Sequence, residues 1–464
     1  MIVPYWVKDA IFYQIFPDRF ANGDESTKPV NVQPWGSPPT IHGFQGGNLR
    51  GIIQHLDYLL DLGINSIYLN PIFLSPSTHR YNTTDYYQID PRLGDMSDFR
   101  ALLDAAHKQN IRVILDGVFN HCGRGFFAFN DLLENQEHSG YKDWFHVNKF
   151  PIDAYSPGDA QDYIGWWKYK SLPKFNTSNP YVRRYIMNVA RYWIQQGADG
   201  WRLDVPNEID DDEFWAEFRE VVKSQNPDAY ILGEIWDPLP RWVSEGHCDG
   251  LMNYPLRDAI LGVVNNKLTI NAFSERIDDL LKIYARENLF AMYNPLGSHD
   301  TERLMTVCIN DQQRVKLALL CQFSLPGAPS IYYGDEIGME GGKDPSCRGA
   351  FRWEIKTWNC ELRAWIQQLI ALRKRIPALR RGEVKRILAD NSRFCYAFSR
   401  VLGKEQVLVA MNTSDTRRNL RLTLTGLDFH DGQILHNLLG AGEFFVSGDT
   451  LAISLPPRSG VWLQ

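Results

Sequence analysis

Four short stretches bring acidic, basic and imidazole side chains together at usable spacings: Asp116-Gly117-Val118-Phe119-Asn120-His121, Arg202-Leu203-Asp204, Gly233-Glu234-Ile235-Trp236 and Ser298-His299-Asp300. In an extended chain, residues two apart share a face, so Arg202 and Asp204 stand side by side. A guanidinium beside a carboxylate favours the ionised form, which suits a nucleophile. Glu234 follows the apolar run Tyr230-Ile231-Leu232 and shares a face with Trp236. Low polarity around a carboxyl favours the protonated form, which suits a general acid. Two carboxyls pushed in opposite directions are what cleavage of a glycosidic bond requires. Asp300 adds a third carboxylate, and His121 and His299 are donors able to hold hydroxyls.

Rival uses of these groups fit less well. A metal centre drawing on Asp116, His121, Asp204, Glu234, His299 and Asp300 lacks any H-E-x-x-H or Cys/His signature, and Arg202 in its midst would repel a cation. No Walker loop supports phosphate chemistry. Ser298, His299 and Asp300 are adjacent and cannot orient one another as a triad. Any single Asp at a strand end is ordinarily a helix cap; four strand ends converging are not.

The elements that must position these groups follow from hydrophobic patterning. Short apolar, β-branched runs recur at residues 11–16, 66–70, 112–119, 200–205, 230–235, 250–253, 291–296 and 330–333, separated by helix-like stretches. Strands alternating with helices mean parallel βα units, and eight of them predict a (β/α)₈ barrel with its site at the C-terminal strand ends. No G-x-G-x-x-G follows the first run, so a dinucleotide-binding sheet has no support. Residues 122–176, rich in Gly, Asn, Asp, aromatics and Pro, read as an inserted domain over the barrel mouth. The last helix pattern (Leu362, Trp365, Ile366, Leu369, Ile376) ends near Pro377, and the period then changes to two: Val407, Val409, Met411; Leu420, Leu422, Leu424; Leu451, Ile453, Leu455. The expected division is a barrel over 1–121 and 177–381, the insert at 122–176, and a C-terminal antiparallel β-sandwich over 382–464.

Composition narrows the function classes. The chain has 464 residues, 44% of them hydrophobic, enough for a large core and more than one domain. A net charge of −6 argues against a nucleic-acid partner. No run approaches the roughly 20 apolar residues of a membrane span. The seven cysteines are odd in number, scattered and free of C-x-x-C, as reduced thiols are, and no basic n-region with an apolar run opens the chain; the expected compartment is the cytoplasm. Aromatics reach 13%, with 14 Trp and 21 Tyr, which suits both a large core and the stacking of sugar rings.

With these residues in place, the sequence resembles the α-amylase family of glycoside hydrolases. The four stretches are similar, in order, to the family's four motifs, the last as Leu296-Gly297-Ser298-His299-Asp300. Within the family the chain looks most like the cyclomaltodextrinase, neopullulanase and maltogenic amylase group. Leu172-Pro173-Lys174-Phe175-Asn176 resembles its fifth motif, and the stretch from His79 to Tyr87 its loop after the second strand. The resemblance implies retaining hydrolysis of α-1,4 and α-1,6 glucosidic bonds in cyclodextrins, pullulan, maltooligosaccharides or branched starch fragments. Selective debranching and glucanosyl transfer are alternatives on the same scaffold. It implies that Asp204 is the nucleophile, Glu234 the acid/base and Asp300 the transition-state stabiliser. Arg202 would fix Asp204, His121 and His299 would bind the sugar being cleaved, and Tyr81 would stack under it. Trp236 would line the acceptor side, and Asp116 would hold hydrogen bonds rather than react.

Three departures qualify these implications. The barrel pattern begins within the first 15 residues or so, and the group's N-terminal β domain is therefore expected to be absent. A more open cleft, and a monomer or a dimer built through another surface, are therefore expected. Asn22, Asp24 and Gly46 match the group's calcium loop, but Asn48 stands where Asp is usual and Ser26-Thr27 replace a carboxylate-bearing pair. Losing negative ligands leaves at most a weak calcium site, and no other cofactor is implied. Asp237 follows Trp236 where His is common, which alters the acceptor side.

Overall fold

The apolar runs become strands because both their faces are covered, as in a parallel barrel. The computed structural model describes residues 3–29, 31–244 and 246–464. Its barrel strands are β1 (Phe12–Ile15), β2 (Ser66–Leu69), β3 (Arg112–Gly117), β4 (Gly200–Leu203), β5 (Tyr230–Gly233), β6 (Gly250–Leu251), β7 (Tyr293–Asn294) and β8 (Ala328–Tyr332). Successive strands pair in parallel, β1 also pairs with β8, and a bridge between Met252 and Tyr293 joins β6 to β7. The expected eight-stranded barrel is thus present.

β6 and β7 keep only two residues each of their apolar runs. Asn253 leaves the ladder to cap the following helix, accepting from the Leu256 N–H at 3.2 Å. Pro295, directly after β7, has no N–H to extend the pairing.

Side-chain parity decides what faces the barrel axis. Phe12, Tyr68, Ile114, Tyr230, Leu232, Met252, Tyr293 and Ala328 form one buried interior cluster. Tyr13, Ile15, Ile67, Leu69, Val113, Leu115, Trp201, Leu203 and Ile231 point outward against the helices. One step further along the inward columns the residue type changes: Gln14, Asn70, Asp116, Arg202 and Glu234 are all buried there. The apolar plug closes the barrel below, and the polar ring above it lies at the C-terminal ends.

Between β3 and β4 the chain passes through a helix (Phe127–Asn135) and a set of bridges, among them His121 with Lys174 and Phe145 with Phe175. These tie the segment back onto the end of β3. After the helix Pro377–Arg381, eight further strands follow. They are β9 (Glu383–Asp390), β10 (Cys395–Leu402), β11 (Glu405–Asn412), β12 (Arg418–Thr423), β13 (Ile434–His436), β14 (Glu443–Ser447), β15 (Thr450–Leu455) and β16 (Ser459–Leu463). They form two antiparallel four-stranded sheets, ordered β9-β10-β11-β16 and β12-β15-β14-β13. Leu420, Leu422, Leu451, Ile453 and Leu455 fill the core between them.

The first sheet also packs on the barrel. Trp462 donates to Ser324 Oγ at 2.7 Å, and the buried Arg400 donates to the carbonyls of Gly382 and Ser324. Among the described residues all seven cysteines are unpaired, and no helix is long and apolar enough to cross a membrane.

Candidate active site

Arg202 is the centre of the polar ring. Fully buried on β4, it places Nη1 2.7 Å from Asp116 Oδ1 and 3.0 Å from Asp204 Oδ1, and Nη2 2.8 Å from Glu234 Oε2. Asp204 follows β4, Glu234 follows β5 and Asp116 lies near the end of β3, so three strand ends meet on one guanidinium.

The residue after Asp204 adds a second link between the carboxyls. Val205 has φ 36°, a left-handed conformation that β-branched residues avoid, and its N–H donates to Glu234 Oε2 at 3.1 Å. Strain of this kind persists where the surroundings over-determine it, commonly at working sites. Trp236 donates to the other oxygen, Glu234 Oε1, at 3.2 Å, and its half-exposed ring lies flat on Tyr254, 3.7 Å between centroids.

Opposite this pair, a relay crosses the barrel. Gln14 on β1 donates through Nε2 to His299 Nδ1 at 2.8 Å, which leaves the proton on Nε2. That Nε2–H lies 2.5 Å from the Tyr81 hydroxyl and 3.1 Å from Asp300 Oδ2. Tyr81 donates in turn to Asp116 Oδ2 at 2.9 Å, which also accepts from Tyr68 at 2.6 Å. Tyr81 is presented by a loop built on the buried Arg80–Asp90 ion pair (2.8 Å), with Arg80 itself left-handed at φ 63°. Its ring stacks on His299 at 5.4 Å. His121 stacks on Trp166 at 5.3 Å and accepts on Nδ1 from Asn120. Burial pushes His121 down to about 3 and holds His299 well below its usual value, so both rings are neutral.

The carboxyls depart from the pairwise expectation. Arg202 pulls Asp204 toward ionisation, as the two-residue spacing suggests. Burial pushes harder the other way, joined by the charges of Glu234, Asp116 and Asp300, and the Asp204 carboxyl lies well above the usual range. Asp116 is also raised by burial, against Arg202, Tyr68 and Tyr81. Asp300 is pushed up to about 7 by loss of water and by Glu234. It keeps 31% of its side-chain surface open to the cleft, so water screens part of that effect. Asp116, Asp204 and Asp300 are thus raised by burial above where an isolated Asp–Arg pair would stand, with Arg202 pulling each of them back toward the carboxylate form.

Sequence reasoning placed Asp116, Arg202, Asp204, Glu234, Asp300, His299 and Tyr81 together, and the structure brings them into one network. It missed Arg348, whose Nη2 lies 3.2 Å from Asp300 Oδ1 and whose Nε donates to the His299 carbonyl. It also missed Gln14, Tyr68 and Asn70. Gln14 carried a signal: a polar residue at an inward position of an otherwise apolar strand.

The loop of Asn22, Asp24, Gly46 and Asn48 is arranged against a cation. Asn48 Oδ1 accepts from the N–H groups of Gly23 (3.0 Å) and Gly51 (2.9 Å), which fixes the amide's orientation. Its Nδ2 therefore faces Asn22 Oδ1 (3.0 Å), the Asp24 carbonyl (2.9 Å) and Thr27 Oγ1 (3.0 Å). An N–H donor occupies the centre of the oxygens that would bind calcium. The Asp24 carboxylate turns away to Ser26 (2.9 Å), and the Gly46 N–H is spent on Asp18 (3.1 Å). These residues as arranged do not fit a divalent cation.

Residues 14–381 match the family described as alpha amylase, catalytic domain, and residues 385–462 match the maltogenic amylase C-terminal domain. A cyclomaltodextrinase of Geobacillus thermopakistaniensis (strain MAS1) is 46% identical over 457 residues, 98% of this chain and 76% of that protein. The cyclic α-maltosyl-(1→6)-maltose hydrolase of Arthrobacter globiformis superposes with a TM-score of 0.91 at 39% identity, covering 100% of both chains. The debranching enzyme of Nostoc punctiforme does so with a TM-score of 0.91 at 41% identity, again over 100% of both. With its closed barrel, carboxylate cluster and two matched domains, the chain belongs to the α-amylase family of glycoside hydrolases, among the α-glucan hydrolases of the cyclomaltodextrinase and neopullulanase group.

Proposed function

We propose that this site cleaves α-glucosidic bonds with retention. Asp204 attacks the anomeric carbon while Glu234 gives its proton to the departing glycosidic oxygen, leaving a covalent glycosyl-enzyme. Glu234, now a carboxylate, takes a proton from water as that water attacks the same carbon and frees Asp204. Asp300, oriented by Arg348 and His299, faces the developing positive charge. The carrying observation is that Asp204 and Glu234 share one guanidinium. It supports the close spacing that retention requires rather than the wider gap an inverting water needs. Proton NMR of the first product tests this: the α-anomer should appear before mutarotation, and initial β-product would overturn it.

Substrate choice follows the relatives. Two of the solved structures that match this chain over its full length and theirs carry names that speak of α-1,6 linkages or debranching. That favours branched and α-1,6-containing glucans over cyclodextrins. Incubation with β-cyclodextrin, pullulan, maltoheptaose and a branched maltooligosaccharide should release linear chains from the branched substrate fastest; faster ring opening would reverse the order. The barrel over 1–121 and 177–381 and the insert 122–176 would form the cleft, with the sandwich 382–464 supporting it. We further propose that the loop at Asn48 works without calcium, and that the unpaired thiols suit a reducing, cytoplasmic setting.

A further inference from the structure

Val205 holds a backbone that its residue type avoids. It is β-branched and precedes Pro206, and both features favour extended chain, yet it stands at φ 36° and ψ 52°. Contacts on several sides keep it there. The preceding Asp204 N–H donates to the Gly117 carbonyl on β3 at 3.0 Å. The Glu208 N–H donates to the Val205 carbonyl at 3.0 Å and closes the turn that follows. Pro206 is buried beside β5, where a Cβ at Gly233 would come within 3.7 Å of its ring. Lys174, on the segment between β3 and β4, donates to the Glu208 carbonyl at 2.7 Å. The turn is pinned from β3, from β5 and from the segment over the barrel mouth, and its strained residue aims an N–H at Glu234 Oε2, 3.1 Å away.

The two oxygens of Glu234 therefore have different neighbours. Oε2 faces the Val205 N–H and the Arg202 guanidinium, whose Nη2 lies 2.8 Å away. Oε1 faces one donor, the Trp236 indole N–H at 3.2 Å. A hydrogen on Oε2 would point among hydrogens already aimed there, whereas Oε1 keeps a lone pair free to carry one. A donor on Oε2 also bonds more strongly to a carboxylate than to a neutral acid, so its hold tightens as the proton departs.

We propose that the Val205 N–H is a positioning group: it fixes the Glu234 carboxyl so that Oε1 carries the acidic hydrogen and Oε2 receives the charge left behind. The proposal rests on the reading of Glu234 as the acid. In the step it serves, the Oε1–H proton passes to the glycosidic oxygen, which also takes the electron pair of the breaking bond to the anomeric carbon, while Asp204 forms the new bond to that carbon. Val205 touches none of the reacting atoms and acts through Glu234. The strain then has a use, because a relaxed turn would aim the N–H elsewhere.

Replacing Val205 by α-hydroxyisovaleric acid tests this, since the resulting backbone ester keeps the side chain and removes only the N–H. Two substrates are compared: the branched maltooligosaccharide, whose sugar leaving group needs a proton, and α-maltosyl fluoride, whose fluoride leaves without one. On the oligosaccharide kcat should fall about tenfold with KM nearly constant, as for a bond made mainly in the transition state. Fluoride release should change by less than about twofold. The ratio of the two rates is independent of the fraction of enzyme that folds, so partial misfolding cannot imitate this result. An unchanged ratio, whether both rates fall together or neither falls, would overturn the proposal while leaving the hydrolase reading intact. A wild-type enzyme that releases fluoride but cleaves no glucan would instead overturn Glu234 as the acid, and one that cleaves neither would overturn the hydrolase reading itself.

Discussion

Arg202 supplies both charge and shape, and the two can be separated. Arg202→Gln removes the cation that, among the described residues, alone touches Asp116, Asp204 and Glu234. Asp116 and Asp204 should then keep their protons to higher pH, moving the acidic limb of kcat/KM upward. Arg202→Lys keeps the charge but not the fork, so it should lose about 10²–10³ in kcat with the limb nearly in place. Equal pH profiles for the two variants would contradict this. Asp300 offers a stability test. With its pKa raised to about 7, the folded protein holds a proton between the usual carboxylate range and pH 7 that the unfolded chain has released. Stability from this group therefore falls as pH rises through that window. Asp300→Asn removes the effect, so its Tm relative to wild type should be more favourable at pH 8 than at pH 5, as thermal scans in matched buffers would show. The sequence makes Asp116, Arg202, Asp204 and Glu234 legible because strand parity and strand ends are local properties. It does not make Arg348 legible, since nothing within its own segment links it to Asp300, 48 positions away. Nor does it show the upward shift of Asp204, which depends on burial first and then on three other carboxyls, all of which only the closed barrel brings about.

At the level of elements, the loop leading into the helix Leu49–Gln54 shows one side chain standing at the centre of its own oxygens. Asn48 satisfies three loop oxygens and two backbone N–H groups at once. Chelation with EDTA should leave the wild-type Tm unchanged. Asn48→Asp replaces the donor with an acceptor facing three oxygens, costing about 1–3 kcal/mol in EDTA, and millimolar calcium should restore part of it. Calcium found in the purified wild-type protein by elemental analysis would refute the assignment. The same loop marks where reading by resemblance stops: the matching residues Asn22, Asp24 and Gly46 are present, yet their oxygens and N–H groups are committed elsewhere. β6 and β7 make a related point, since their apolar runs were evident but Asn253 and Pro295 end the pairing early.

Across the whole molecule, barrel and sandwich share buried contacts rather than a loose linker. Trp462 and Arg400 are fully buried against the helix Gln312–Ser324, and Arg458 pairs with Asp311 at 2.6 Å. Trp462→Ala should cost about 3–5 kcal/mol and lower the transition of the entire chain. Calorimetry showing an unmoved barrel transition beside a weakened sandwich would mean that the two unfold independently. The relay from Gln14 through His299 to Tyr81 has a different consequence. It joins the first strand to a segment 285 residues later. No shorter fragment holds its geometry, and contacts of such sequence separation form late because chain entropy must be overcome first. On the ribosome the nascent protein would stay inert until the segment carrying His299 and Arg348 has emerged and met β1. In refolding, recovered turnover would report closure of the barrel itself, lagging behind the return of helical signal.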